Sequence, residues 1–313
     1  MAYQFNDIHK SRFKKQGEGQ AAWIKTNPDN ARKQTKTILG LTVEICAENA
    51  EPINVIKKKE KALIKAIECL QNAGLMFTDS DVKKFRVVYY AHHLVWETQS
   101  KPSRGAVYFE NVSDTKPCVL LQLGTRIASH VLGVKEEGVA GGWSNTNAQR
   151  VLADRIYDYY KLTWTVNAAT ECALAQTLHE LGHIIHQLKS PDDYWLNADV
   201  AEGKEPNAKL KRQAEFDSIK KYGHGFVSQY AGTDAKSLNE YVAEVFAGIM
   251  MGIPWDTIDP SKKLMQIYEK LGGPIPTTMP DSISRVNDFK TCSCNCVANI
   301  SKSHEDNKYM YFY

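Results

Sequence analysis

The chain has 313 residues, of which 43% are hydrophobic and 24% charged, with a formal net charge of +3. That length holds one large or two ordinary domains, each able to bury a core. The small and dispersed positive charge argues against a nucleic-acid partner, and the longest nearly apolar run, residues 246–255, is too short to span a bilayer.

The first ten residues, M-A-Y-Q-F-N-D-I-H-K, lack the charged-then-apolar pattern of a secretory signal. Synthesis in the cytoplasm is expected, with any export by a signal-independent route. Residues 1–28 are polar and without a clear period, and read as a loose arm. Residues 30–49 read as a helix with Leu39, Leu41, Val43 and Ile45 partly inward. After Pro52, residues 56–72 form a stronger helix, with Ile56, Leu63, Ile67 and Leu70 on one stripe and Gly74 as its stop. Its run Lys57-Lys58-Lys59 reads as a solvated face.

Strand character begins near Phe85. Residues 87–90, 106–110 and 118–123 are β-branched or aromatic runs separated by Lys, Pro, Ser and Gly. His92 and His93 are adjacent, so on a strand they point to opposite faces and make a poor chelating pair. The stretch from Gly138 to Asn145 is glycine-rich and reads either as a turn or as a strand edge that another backbone approaches closely.

Residues 177–188 read T-L-H-E-L-G-H-I-I-H-Q-L and contain His179-Glu180-Leu181-Gly182-His183, an H-E-x-x-H pattern. Residues four apart lie one above the other on a helix, so both imidazoles can grip one ion. Zinc is the metal that best fits two histidines and a carboxylate, with a fourth position left for water. Glu180 sits beside that water and can take its proton. The longer H-E-x-x-H-x-x-G-x-x-H pattern fails, because position 186 is His and position 189 is Lys. His186 as a ligand and His224 as a substrate-binding or oxyanion-stabilising residue remain alternatives.

Residues 192–211 are polar and read as an irregular surface insertion, followed by helical residues 213–222 and a turn at Gly223-His224-Gly225. A second helix starts near Ser237, with Leu238, Tyr241, Val242, Val245 and Ile249 on its buried face. Seven cysteines are present. Cys46, Cys69, Cys118 and Cys172 read as buried free thiols. Cys292, Cys294 and Cys296 alternate in a way that would put three thiols on one strand face, but the usual C-x-x-C zinc spacing is missing.

The second helix carries N-E-Y-V-A-E-V-F-A-G, which resembles the second motif of the gluzincin metallopeptidases, N-E-x-x-[SA]-[DE]. With S-Q-Y-A ahead of it, the set is similar to the protease domain of anthrax lethal factor and its relatives. The resemblance implies Glu240 as third zinc ligand and Glu244 as the partner that orients a ligand histidine from behind. It implies Tyr230 as a donor to the oxyanion. It also implies a sheet edge before the metal helix on which an extended peptide is bound, for which Val139, Ala140, Gly141, Gly142 and Trp143 are the candidates.

The expected fold is an α+β zincin-like domain over residues 79–280, with a mixed sheet over the metal helix and the Glu240 helix packed against it. A helical N-terminal region, 1–78, would dock on that domain or recognise substrate, and 281–313 would be a tail. The expected activity is zinc-dependent cleavage of a protein or peptide substrate, with one zinc per chain. The resemblance to toxin proteases implies an effector delivered into another cell. A housekeeping amide hydrolase and a binding protein pinned by structural zinc are the competing readings.

Overall fold

The computed structural model describes residues 3–25, 31–48, 53–90, 104–124, 168–202, 206–222, 227, 231, 238–252 and 255–278. Strands β1 (Ala31–Ile38), β2 (Leu41–Glu48), β3 (Lys84–Tyr90), β4 (Arg104–Tyr108) and β5 (Cys118–Gly124) form one sheet in the order β1-β2-β3-β5-β4. β2, β3 and β5 run parallel, while β1 and β4 are antiparallel to their neighbours. The helices are α1 (Asp7–Lys25), α2 (Ile53–Asn72), α3 (Ala168–Lys189), α4 (Pro191–Glu202), α5 (Pro206–Tyr222), α6 (Leu238–Met250), α7 (Trp255–Ile258) and α8 (Lys263–Lys270). The chain is therefore α+β with a mixed sheet.

One face of the sheet presents Val43, Ile45, Phe85, Val87, Tyr89, Val107, Val119, Leu121 and Leu123 to the main core. Leu63, Ile67 and Leu70 of α2 and Leu178, Leu181 and Ile185 of α3 complete that core. The alternate residues Cys46, Val88, Tyr108, Cys118 and Leu120 form a smaller cluster on the opposite face, as the two-residue period of a strand requires. Cys46, Cys69 and Cys118 are buried free thiols, as expected. No described helix is long and apolar enough to cross a membrane.

The helix expected over residues 30–49 is a β-hairpin instead. Leu39, Leu41, Val43 and Ile45 are spaced by two, the period of a strand and not of a helix. Thr35, Thr37, Ile38, Thr42, Val43 and Ile45 add β-branched side chains that favour extended backbone. The chain reverses at Leu39-Gly40, both at positive φ. This hairpin lies before residue 79 yet belongs to the same sheet as β3, β4 and β5, so the N-terminal region is not purely helical.

Within the stretch expected to be a loose arm, the described residues 3–25 include α1, which is docked on the rest of the fold. Phe13 is fully buried, with its ring 5.0 Å from Trp195 and 5.7 Å from Phe5. Arg12 makes two hydrogen bonds to Asp199 and lies over the Trp195 ring at 4.1 Å. His9 meets Asp192 at 2.8 Å. Aromatic and ionic anchors, not a continuous apolar stripe, hold the helix, so its sequence shows no clear period.

The described residues of the polar stretch 192–211 are likewise helical, 192–202 lying in α4 and 206–211 in the start of α5. Pro191 opens α4 with Asp192 and Asp193 in its first turn, which suits a helix N-terminus. α5 packs Ile219 into the main core and is also held by polar contacts. Arg212 bonds Asp193 and the Lys270 carbonyl, and Lys270 pairs with Glu215 at 2.6 Å. The lysine run of α2 also differs from expectation. Lys59 is buried and its ammonium donates to Gln176 Oε1 at 3.0 Å, so only part of the lysine run is a solvated face.

Candidate metal centre

α3 is fixed by a buried stripe of Leu174, Leu178, Leu181, Ile184, Ile185 and Leu188. The stripe leaves His179 and His183 one turn apart on a common face, and both are buried. α6 crosses α3 closely. Any side chain at Gly182 would press on the Phe246 ring, so the glycine inside the H-E-x-x-H pattern allows the approach. Every residue of α6 except Glu240 is buried, and Glu240 stands in its first turn with a quarter of its side chain exposed.

Three ligand-type atoms converge between the two helices. His179 Nε2 and His183 Nε2 lie 3.2 Å apart. Glu240 Oε2 lies 3.2 Å from the first and 3.3 Å from the second. The opposite nitrogen of His179, Nδ1, donates to Glu244 Oε1 at 2.6 Å. That hydrogen bond leaves the Nε2 lone pair of a neutral ring aimed at the other two ligand atoms. His179, Glu180 and His183 offer ligand atoms within 4.8 Å of one another and form a group that can hold a metal ion.

Without an ion, the charges are strongly coupled. Burial works against a charged His179, but the hydrogen bonds it donates to Glu240 and Glu244 outweigh it and hold the imidazole well above its ordinary range. Burial likewise opposes a charged Glu240, yet the neighbouring His183 and His179 keep it well below the usual carboxylate range. Glu180 is pushed up, chiefly by burial, against the pull of His179 and His183. A cation in this cluster would take the place of the histidine proton.

The sheet meets α3 through β4. At Gly105 a β-carbon would overlap the Glu180 carbonyl, so the strand lies directly on the helix there. The Gly105 backbone N–H also favours the ionised Glu180 carboxyl. Gln187, one turn beyond His183 and fully buried, reaches the same strand. His186 is not part of that ligand group; it is fully buried and sets its ring edge-on to Tyr194 at 5.6 Å.

Of the residues expected at the site, the structure brings together His179, Glu180, His183, Glu240 and Glu244. It does not add His186 as a ligand. Tyr230, His224, the stretch Val139, Ala140, Gly141, Gly142 and Trp143, the pair His92 and His93, the thiols Cys292, Cys294 and Cys296, and the Cys172 side chain lie outside what is described. Gly105 and Gln187 were missed. Their signal was faint: a glycine inside a strand run, and a polar residue in phase with the histidines of an apolar helix. Comparison with protein-family models, with curated proteins and with solved structures returns no match to this chain.

Proposed function

We propose that this protein is a zinc-dependent metallopeptidase with His179, His183 and Glu240 as the metal ligands. The supporting observation is the triangle of ligand atoms, with sides of 3.2, 3.2 and 3.3 Å. A tetrahedral zinc with bonds of ~2.0–2.1 Å needs ligand atoms about 3.3–3.4 Å apart, which matches that triangle. Two nitrogens and one carboxylate oxygen are also the donor set zinc favours when one position stays open for chemistry. Bound zinc supplies a Lewis acid and lowers the pKa of water toward ~7.

The chain's own groups divide the remaining work. Glu244 holds His179 in the tautomer that presents Nε2 as a ligand. Glu180 lies within the same cluster, and its raised pKa brings it nearer to neutral pH, where a general base works best. It takes the proton from the attacking water and passes it to the leaving amine. Gly105 steadies the Glu180 turn of α3 through direct backbone contact. The motif resemblance supports Tyr230 as a donor to the oxyanion and a protein or peptide as the substrate.

The deciding experiment combines metal analysis with one substitution. The purified protein should hold about one zinc per chain, and Glu180→Gln should keep the zinc while cutting peptide hydrolysis by ~10²–10⁴. The substrate is found by mapping new protein termini with active enzyme against Glu180→Gln. A variant that loses zinc along with activity would make Glu180 a ligand and would favour the structural-zinc reading.

A further inference from the structure

The outward edge of β4 is occupied by two carboxamides. Val107 N–H donates to Gln187 Oε1 at 3.0 Å, and Gln187 Nε2 donates to the Gly105 carbonyl at 3.1 Å. The same Nε2 donates to the carbonyl of His183 at 2.9 Å. Gln16 of α1 closes the set, its Nε2 donating to Val107 O and to Gln187 Oε1, both at 2.8 Å. The backbone partners fix which end of Gln187 is oxygen. One end faces an N–H, and the other faces two carbonyls.

We propose that Gln187 is a positioning residue for the metal centre and that Gln16 locks it in place from the N-terminal helix. The inference rests on the metal-centre reading of the previous section. Gln187 joins the backbone of the ligand residue His183 to the strand that lies on Glu180. The separation of α3 and β4, and with it the placement of His183 and Glu180, is set by directional bonds as well as by apolar packing. Gln16 satisfies the remaining valence of that carboxamide, and its helix is held in turn by Arg12 on Asp199 and by Phe13 in the core. Docking of α1 is thereby coupled to the metal centre, some 170 positions later in the chain.

The pairing also closes the edge of β4 from Gly105 to Val107. An added peptide strand cannot hydrogen-bond there while both carboxamides are in place. This network therefore limits where on β4 a substrate can pair.

The test uses the full chain with Gln16→Ala, Gln187→Met and a control, Asp79→Ala. The control removes the acceptor of the Thr42 N–H at 3.0 Å, on the β2 side of the sheet. Three quantities are measured: amide exchange at Val107 in the metal-free protein, zinc affinity by competition with a chromogenic chelator, and thermal unfolding. Both glutamine variants should speed Val107 exchange by about tenfold or more. Zinc affinity should fall ~3–10-fold for Gln16→Ala and ~10–100-fold for Gln187→Met, the range seen when outer partners of a metal site are removed. Asp79→Ala should lower the unfolding temperature and leave the other two readouts alone. If the glutamine variants also lower only the unfolding temperature, Gln187 is structural and the proposal is wrong. If Gln187→Met does not fold, Gln16→Ala decides alone. A wild-type protein that takes up no zinc overturns the metal reading itself, an outcome distinct from normal zinc uptake with unaffected variants.

Discussion

Glu244 Oε1 lies 2.6 Å from His179 Nδ1, while Glu240 Oε2 lies 3.2 Å from the other nitrogen of the same ring. Two acids one helical turn apart on α6 thus take opposite sides of one imidazole and so have different roles. Glu240 shares the triangle with His183, and Glu244 does not. Glu240→Ala should therefore lose most of the zinc. Glu244→Ala should fill at saturating zinc but bind it ~10–100-fold more weakly. Chelator competition on both variants measures this. The reverse order would move the third ligand one turn along α6.

Gly105 tests whether contact between β4 and α3 holds the Glu180 turn of the helix. A β-carbon there meets the Glu180 carbonyl, which belongs to helix backbone and cannot rotate aside. Gly105→Ala should cost ~1–3 kcal/mol of stability, the usual range for overpacking. It should also lower hydrolysis more than zinc content, because Glu180 moves first. Chemical denaturation with metal analysis and kinetics on one preparation checks both. A fully stable, fully active Gly105→Ala protein would mean that strand and helix separate freely at this point.

How far the sequence could be read depends on what kind of contact holds each element. His179 and His183 were legible because helical spacing alone puts them on one face. Glu240 and Glu244 needed a motif resemblance, since 57 positions separate His183 from Glu240 and no local period links them. The strands β3, β4 and β5 announced themselves by β-branched runs, but the hairpin β1-β2 was read with a helical period although its apolar residues are two apart. α1, α4 and α5 were hidden by polarity. Their anchors, Arg12 on Asp199 and Arg212 on Asp193, are specific pairings that no window of hydrophobicity registers. Gln187 was illegible for the same reason, because its partners are backbone groups on a strand about eighty positions earlier.

The N-terminal helix should behave as part of the folding unit. Phe13 is fully buried between Phe5, Tyr194 and Trp195. Phe13→Ala should destabilise the whole protein by ~3–5 kcal/mol. Arg12→Ala loses a largely buried ion pair and the stacking on Trp195, and should cost less, ~1–2 kcal/mol. Urea melts followed by two probes, one in α1 and one in the sheet, should give coincident transitions. An early transition confined to α1 would show that the helix undocks independently.

His186 makes the stability of the metal-free protein depend on pH. It is fully buried, and its pKa is lowered to about 3, mainly by burial, with His183 adding and the Leu271 backbone opposing. In the unfolded chain the group titrates near ~6.5. Between those values the unfolded state binds the extra proton, so this contribution to stability is present above pH ~6.5 and is lost as pH falls toward 3. Each unit in that window costs ~1.4 kcal/mol, so moving metal-free protein from pH 7.5 to pH 5 should remove ~2 kcal/mol through this residue. His186→Leu removes the titrating group but keeps an apolar side chain on the core. Measured by urea denaturation at both pH values, the variant should gain ~2 kcal/mol on wild type at pH 5 relative to pH 7.5. An unchanged difference between the two proteins at the two pH values would mean that His186 takes up its proton without unfolding.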